Sequence, residues 1–190
     1  MLAEWNVEIG GDAPVLEIPW ESADGRIQYF DLKRQPELLL RLPEAGASNE
    51  LREFLQRLNS PESPWETAKC DLWSSQEIEE EEQIFGSPWK FGSYLDLIFA
   101  DRKKMRDFSA HERWVQSLAR CLRSSPDITA AAELNVRRCF DRREETDVAG
   151  FYVTFVLRGY GRDESEARKH WGEALNFALQ AIIDSHSSIK

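Results

Sequence analysis

The segment from Gly150 to Ser185 constrains the fold of this chain more than any other stretch. Its first part, GFYVTFVLRGY, is rich in aromatic and β-branched residues, which favour a β-strand. Gly159 and Gly161 then interrupt the strand, and Asp163 is a favourable N-cap for a helix. Apolar residues recur at helical spacing beyond it: Ala167, Trp171, Ala174, Leu175, Ala178, Ile182 and Ile183. The segment therefore predicts a strand followed by a long helix that packs against it.

The predicted strand has two different faces, because alternate residues of a strand point to opposite sides. One face is apolar and is predicted to lie in the core: Phe151, Val153, Phe155 and Leu157. The other is polar and aromatic: Tyr152, Thr154, Val156, Arg158 and Tyr160. We expect Gly172 to let the following helix approach the apolar face closely.

The order of elements predicts one α+β domain over residues 1–190. Residues 1–65 read as short strands, including 26–32, and a helix; residues 66–190 read as the main sheet with two long helices. Ser109 and Glu112 are spaced as a capping box for the first long helix. From Phe91 the order is strand, helix, strand, strand, helix. We therefore expect a mostly antiparallel sheet with helices on one face and a ferredoxin-like βαββα order in the C-terminal half.

Composition limits the classes of partner. The 190 residues carry a formal net charge of -10, which disfavours nucleic acid and anionic membranes and suits a basic protein partner. No apolar run approaches the length of a membrane span. Three cysteines without CxxC spacing, Cys70, Cys121 and Cys139, indicate buried reduced thiols, and the N-terminus has no secretory pattern. We expect a cytoplasmic protein.

Sequence motifs for common chemistry are missing. Gly159-Tyr-Gly161 lies where phosphate-binding loops occur, but Asp163 and Glu166 would repel a phosphate at that helix terminus. The three histidines are scattered, no metal-ligand cluster is present, and no Gly-x-Ser-x-Gly elbow exists. We therefore predict no cofactor and no bound metal.

Asp71 and Asp96 are the best candidates for catalytic side chains. They lie on neighbouring predicted strands with the same outward parity. Two such carboxylates can hold a divalent cation or act as an acid/base pair. The competing interpretation, which we favour, is that both form ion pairs with basic residues of the same face.

A polar sheet face is the strongest candidate for function. The parities predict that six aromatic and basic side chains share it: Trp73, Tyr94, Arg137, Tyr152, Arg158 and Tyr160. Tyr, Trp and Arg are enriched in binding hot spots. This face is either a recognition surface or is covered by the N-terminal segment. The acidic run Glu79–Glu82 is either a solvated helical turn or a mobile loop.

Three functional hypotheses follow. The leading one is a non-enzymatic acidic protein-binding module, such as an inhibitor, immunity-type protein, adaptor or assembly factor, that uses the open sheet face. The first alternative is a small-ligand or divalent-metal-dependent enzyme with Asp71 and Asp96 at its site. The second alternative is a homodimeric structural protein.

Overall fold

A computed structural model describes residues 1–144 and 147–187, which form a six-stranded sheet with helices. The strands are β1 (Leu2–Glu8), β2 (Val15–Ile18), β3 (Trp65–Ser75), β4 (Trp89–Phe99), β5 (Ala130–Asp141) and β6 (Val148–Gly161). The helices are α1 (Pro43–Ala47), α2 (Asn49–Leu58), α3 (Arg102–Arg106), α4 (Phe108–Arg123) and α5 (Glu164–Ser187). Two 3₁₀ helices span Pro36–Arg41 and Glu80–Phe85. The predicted α+β class is confirmed.

The sheet is mixed rather than uniformly antiparallel. Its order is β1-β5-β6-β4-β3. The pairings of β5 with β6, β6 with β4 and β4 with β3 are antiparallel. β1 and β2 both run parallel to β5, one after the other along the same edge. The N-terminal strands therefore extend the main sheet. From β4 onward the chain runs β4, α3, α4, β5, β6, α5. That this part of the chain has a ferredoxin-like order stays a prediction.

The three long helices, α2, α4 and α5, pack on one face of the sheet. Phe54 of α2 stacks on Phe155 of β6, and Trp114 of α4 packs against Trp65 of β3. Trp171 of α5 is fully buried, and its indole nitrogen donates a hydrogen bond to Ser93 Oγ at 2.9 Å. Burial of such aromatic side chains is the main source of stability in a core of this kind.

Close packing of α5 depends on glycines of β6. A Cβ atom at Gly159 would lie 2.2 Å from the backbone nitrogen of Trp171, and one at Gly161 would lie 2.4 Å from that of Ala167. At Gly172, by contrast, a Cβ would meet only the Glu50 side chain, at 3.4 Å. The prediction that Gly172 provides the close approach was therefore wrong, and the two turn glycines provide it.

Other local predictions were also wrong. Residues 26–32 form no strand, and a single bridge between Glu21 and Gln28 is what the structure shows there. The N-cap of α4 is Asp107, whose side chain accepts a hydrogen bond from Ala110 N, so the expected Ser109 cap is not used. Cys121 is exposed on α4 rather than buried.

Candidate functional site

The sheet face opposite the long helices is polar, and both of its ends are covered. Residues of β3, β4, β5 and β6 that face this side include Asp71, Tyr94, Asn135 and Thr154, which the strand registers place on one surface. A buried ion cluster lies at one end, and the acidic 3₁₀ helix lies at the other. The centre of the face and its β3 edge lie between these two ends.

The first end is closed by an ionic cluster around Arg143. Its guanidinium donates to Asp141 at 2.9 Å, to the Tyr29 hydroxyl at 2.9 Å and to Glu66. The Asp141 side chain is 1% exposed. Burial opposes its ionisation, but the hydrogen bonds and charge of Arg143 outweigh burial and hold the pKa of Asp141 below its usual range. Tyr29 belongs to the N-terminal segment, so that segment covers this end of the face.

The second end is closed by the acidic run. Glu82 is buried; it accepts hydrogen bonds from Lys90 Nζ at 2.7 Å and from the Tyr160 hydroxyl at 2.9 Å. Phe85 stacks on the Tyr160 ring with centroids 4.0 Å apart. Of the two interpretations of this run, the structure agrees with a helical turn, but one that is packed on the sheet through Glu82. Glu80 and Glu81 remain exposed.

The centre of the face contains a chain of polar contacts that ends on Asp96. Glu8 pairs with Arg137 at 2.7 Å, and Arg137 donates to the Thr154 hydroxyl at 2.9 Å. That hydroxyl in turn donates to Asp96 at 2.7 Å. Burial raises the pKa of Asp96 to about 6, against the lowering effects of the Thr154 hydrogen bond and of two cations. Asp96 is therefore a carboxyl whose charge changes near neutral pH.

Within the described residues, the carboxylates of Asp71 and Asp96 lack the ion pairs with basic residues that we expected. Among residues 1–144 and 147–187, no basic side chain lies within the 4.0 Å ion-pair distance of Asp71 or Asp96. Lys69, which is opposite Asp96 in the register, instead places its ammonium 4.9 Å from the centre of the Trp20 ring. The expected ion pairing is therefore wrong for both residues. In addition, the buried Asn135 Oδ1 has no hydrogen-bond partner in the described part of the chain.

An accessible aromatic pair lies on the β3 side of the face. Trp73 pairs with Gly92 in the register, and a Cβ on Gly92 would lie 2.6 Å from two atoms of the Trp73 ring. The indole therefore packs directly against the backbone of β4 at Gly92. Tyr94 is the next residue of that face, directly opposite the exposed Asp71. Trp73 and Tyr94 are both partly exposed.

The six predicted binding residues thus fall into three pairs. Trp73 and Tyr94 are accessible. Arg137 and Arg158 are partly buried and held by ion pairs, the first with Glu8 and the second with Glu82 and Glu133. Tyr152 and Tyr160 are 3% and 1% exposed, so a partner would meet neither ring without a rearrangement of the face.

A metal site at Asp71 and Asp96 would need further ligands. Within the described ranges, no group of three or more His, Cys, Asp or Glu side chains is arranged to hold an ion. Two carboxylates are fewer oxygen ligands than Ca²⁺ or Mg²⁺ takes. Cys70, beside Asp71, has a thiol whose pKa burial raises to about 12, so it is neutral and a poor nucleophile.

Sequence reasoning missed Glu82 as a buried anchor and Gly92 as the platform for Trp73. The run of four glutamates concealed the one that is buried, although a carboxylate three residues after Glu79 has the spacing of a capping box. Gly92, inside a predicted strand, was a usable signal of close approach by another group.

Comparison of the chain with protein-family models, with curated proteins and with solved structures gives no match. No helix among the described residues has both the length and the apolar character needed to cross a membrane. The geometry of the chain itself is therefore the basis for any functional inference.

Proposed function

We propose that this protein is a non-enzymatic, acidic protein-binding module that receives a basic partner at the β3 side of its polar sheet face. The proposed contact area, here termed the Trp73 surface, consists of Asp71, Trp73, Tyr94 and the exposed glutamates 79–81. The observation that carries the proposal is the position of Trp73, packed against Gly92 and partly exposed beside Tyr94. Large, rigid aromatic side chains on a flat backbone platform are typical hot-spot residues.

The electrostatics of the Trp73 surface favour a basic partner. Asp71 is exposed beside Tyr94 and has no ion pair within the described residues. Glu79 is 73% exposed, and its carboxylate lies 4.0 Å from Lys90, which is opposite Ser75 at the end of β3. The acidic side chains thus border the aromatic pair. Complementary charge at the rim of an interface mainly accelerates and orients association.

The edge of β3 adds a second element of recognition. β3 pairs with β4 alone among the described strands, so its outer side carries no strand. Trp20 donates its indole N–H to Ala68 O at 2.9 Å and occupies one position of that edge near the β-bulge. Residues 70–75 continue beyond it. An extended basic segment of a partner would fit beside these residues, with its side chains over Trp73.

The test is a pull-down that compares matched variants. Tagged wild-type protein, Trp73→Ala and Phe140→Ala are each used to capture partners from a lysate of the source organism, and proteins are identified by mass spectrometry. Phe140 is a partly exposed aromatic on the far strand β5, so its loss controls for general stickiness. We expect a basic protein that is released by salt, is retained by Phe140→Ala and is lost with Trp73→Ala.

Other results would contradict the proposal. If every captured protein is retained by both Trp73→Ala and Tyr94→Ala, the Trp73 surface is not the binding site. If the protein is recovered only as a dimer that Trp73→Ala dissociates, the homodimer alternative is correct. Thermal stabilisation by Mg²⁺ or Mn²⁺ that is lost in both Asp71→Asn and Asp96→Asn would instead support the metal-dependent enzyme.

A further inference from the structure

A cavity of about 480 Å³ lies at the outer edge of β3, around residues 67–70 and next to the Trp73 surface. It is lined by Trp20, residues 25–28, Phe30 and Leu32, by residues 41–44, by Leu55 of α2 and by residues 67–70 of β3. Its volume is within the range of small-molecule sites in proteins. None of Asp71, Trp73 and Tyr94 lines it, so the cavity adjoins the Trp73 surface but shares no residue with it.

The wall of the cavity combines aromatic rings with cations. The Lys69 ammonium lies 4.9 Å from the Trp20 ring centroid, and the Arg41 guanidinium lies 5.2 Å from that of Phe30. In the part of the chain that the structure describes, neither cation has a carboxylate within the 4.0 Å ion-pair distance. Aromatic faces hold the two cations at the cavity without neutralising them.

The charge of the cavity is opposite to that of the whole chain. Three basic residues line it, Arg26, Arg41 and Lys69, against one carboxylate, Glu44. Arg26 already pairs with Asp24 at 3.5 Å, which leaves Arg41 and Lys69 as the cations available to a ligand. In a protein of net charge -10, a locally positive, aromatic-lined cavity selects for anions.

The remaining wall is apolar. Leu32 and Leu55 are 4% and 1% exposed and form part of the lining. The Cys70 thiol is neutral, because burial raises its pKa to about 12, with smaller contributions from the charges of Glu44, Asp71 and Asp96. A purely inorganic anion would leave this surface without contacts, whereas an organic body would bury it.

We propose that this cavity is a binding site for an organic anion, a small molecule with an aromatic or aliphatic body and one acidic group. The body lies between Trp20, Phe30 and the apolar wall, and the acidic group lies against Lys69 and Arg41. The site does not depend on the function proposed for the Trp73 surface.

The test uses a matched pair of fluorescent probes. Anilinonaphthalene sulfonate carries one anionic group on an aromatic body, and N-phenylnaphthylamine has the same rings without the charge. We expect saturable binding of one sulfonate probe per folded chain, and binding of the neutral probe that is weaker by about tenfold, the equivalent of one charge-assisted contact. Equal affinity for the two probes, or no saturable binding, would overturn the proposal.

Variants locate the site. Lys69→Met and Arg41→Met keep an apolar side chain but remove the charge, and each should weaken binding of the sulfonate probe by roughly tenfold. Arg120→Met removes an exposed charge from α4 and should leave the affinity unchanged. Circular dichroism verifies that each variant is folded. Lys69 and Arg41 lie on different elements, so either methionine variant can serve as the test if the other one unfolds. If Lys69→Met and Arg41→Met both bind the sulfonate probe as tightly as Arg120→Met does, this cavity is not the binding site.

Discussion

The hydroxyl of Tyr160 donates a hydrogen bond to the carboxylate of Glu82 at 2.9 Å, across 78 positions of the chain. The same carboxylate accepts from Lys90 and from the backbone N–H of Glu79. One buried acid therefore fastens the acidic 3₁₀ helix to β4 and β6. Because the helix covers Tyr160, this contact determines how much of the polar face a partner can reach.

Glu82→Gln should destabilise the fold by roughly 2–4 kcal/mol at pH 7, because it leaves the buried Lys90 with only the exposed Glu79, at 4.0 Å, as a charged partner. Burial opposes the charge of Glu82, but its hydrogen bonds hold its pKa below the usual value. Its stabilising contribution is therefore present above the ordinary carboxyl pKa and is lost as the pH falls through the lowered one. Urea unfolding at several pH values measures the difference, with the exposed Glu80→Gln as the control. A difference that persists undiminished at low pH would contradict this account.

Asp96 should make the wild-type protein less stable as the pH rises. Its folded-state pKa of about 6 is above the ordinary value, so its favourable contribution is present in acid and is lost as the pH rises through 6. Asp96→Asn stays neutral and should gain on the wild type by roughly 1–3 kcal/mol between pH 4 and pH 8. Denaturant titrations of both proteins across this range test the expectation. Parallel stability curves would show that Asp96 titrates normally.

Two glycines should respond to alanine in opposite directions. Gly159→Ala places a Cβ 2.2 Å from the backbone of α5 and should cost about 3 kcal/mol or more. Gly172→Ala meets only the Glu50 side chain at 3.4 Å and should stabilise α5 by about 0.5–1 kcal/mol. Melting temperatures of the two variants distinguish them directly. The same sign for both would mean that the packing of α5 on β6 differs from that described.

Arg143 should be far more important for stability than its neighbour Arg142. Arg143→Met would leave the buried Glu66 without its ion pair and would leave the buried Asp141 with only Arg102, at 3.3 Å. We expect a cost of about 3–5 kcal/mol. Arg142 is 48% exposed and pairs with Glu17 and Asp147 at the surface, so Arg142→Met should cost less than about 1 kcal/mol. Chemical denaturation compares the two, and Arg143→Lys should be intermediate because it lacks the planar fork. Equal losses for the two methionine variants would contradict the buried cluster.

The parts of the fold that the sequence predicted are those that depend on local pattern. The strand at 150–160 and the helix from Asp163 follow from alternation, a glycine turn and helical spacing, all within one segment. The parallel pairing of β1 and β2 with β5 is different, because it joins residues that are far apart in the chain. Glu8 and Arg137, for example, are 129 positions apart, and no local pattern predicts that they meet. The sequence therefore predicted the class and a mostly antiparallel sheet, but not the parallel pairing of β1 and β2 with β5.

The candidate face was predicted in outline but not in depth. Strand parity correctly places Trp73, Tyr94, Arg137, Tyr152 and Arg158 on one side. Parity says nothing about cover, however, and Tyr160 is buried under a segment that reads as solvated because of its charge. Whether a polar side chain is exposed depends on what returns over it from elsewhere in the chain.

The tandem pairing of β1 and β2 with β5 has a consequence for biosynthesis. These two strands are made before β5, the strand they pair with, which ends at Asp141. On a ribosome they would remain without their native partner until β5 had emerged, and the helices and strands between would be free to assemble before them. We therefore expect this edge of the sheet to form after the β3–β4 pair, although its own strands precede that pair in the chain.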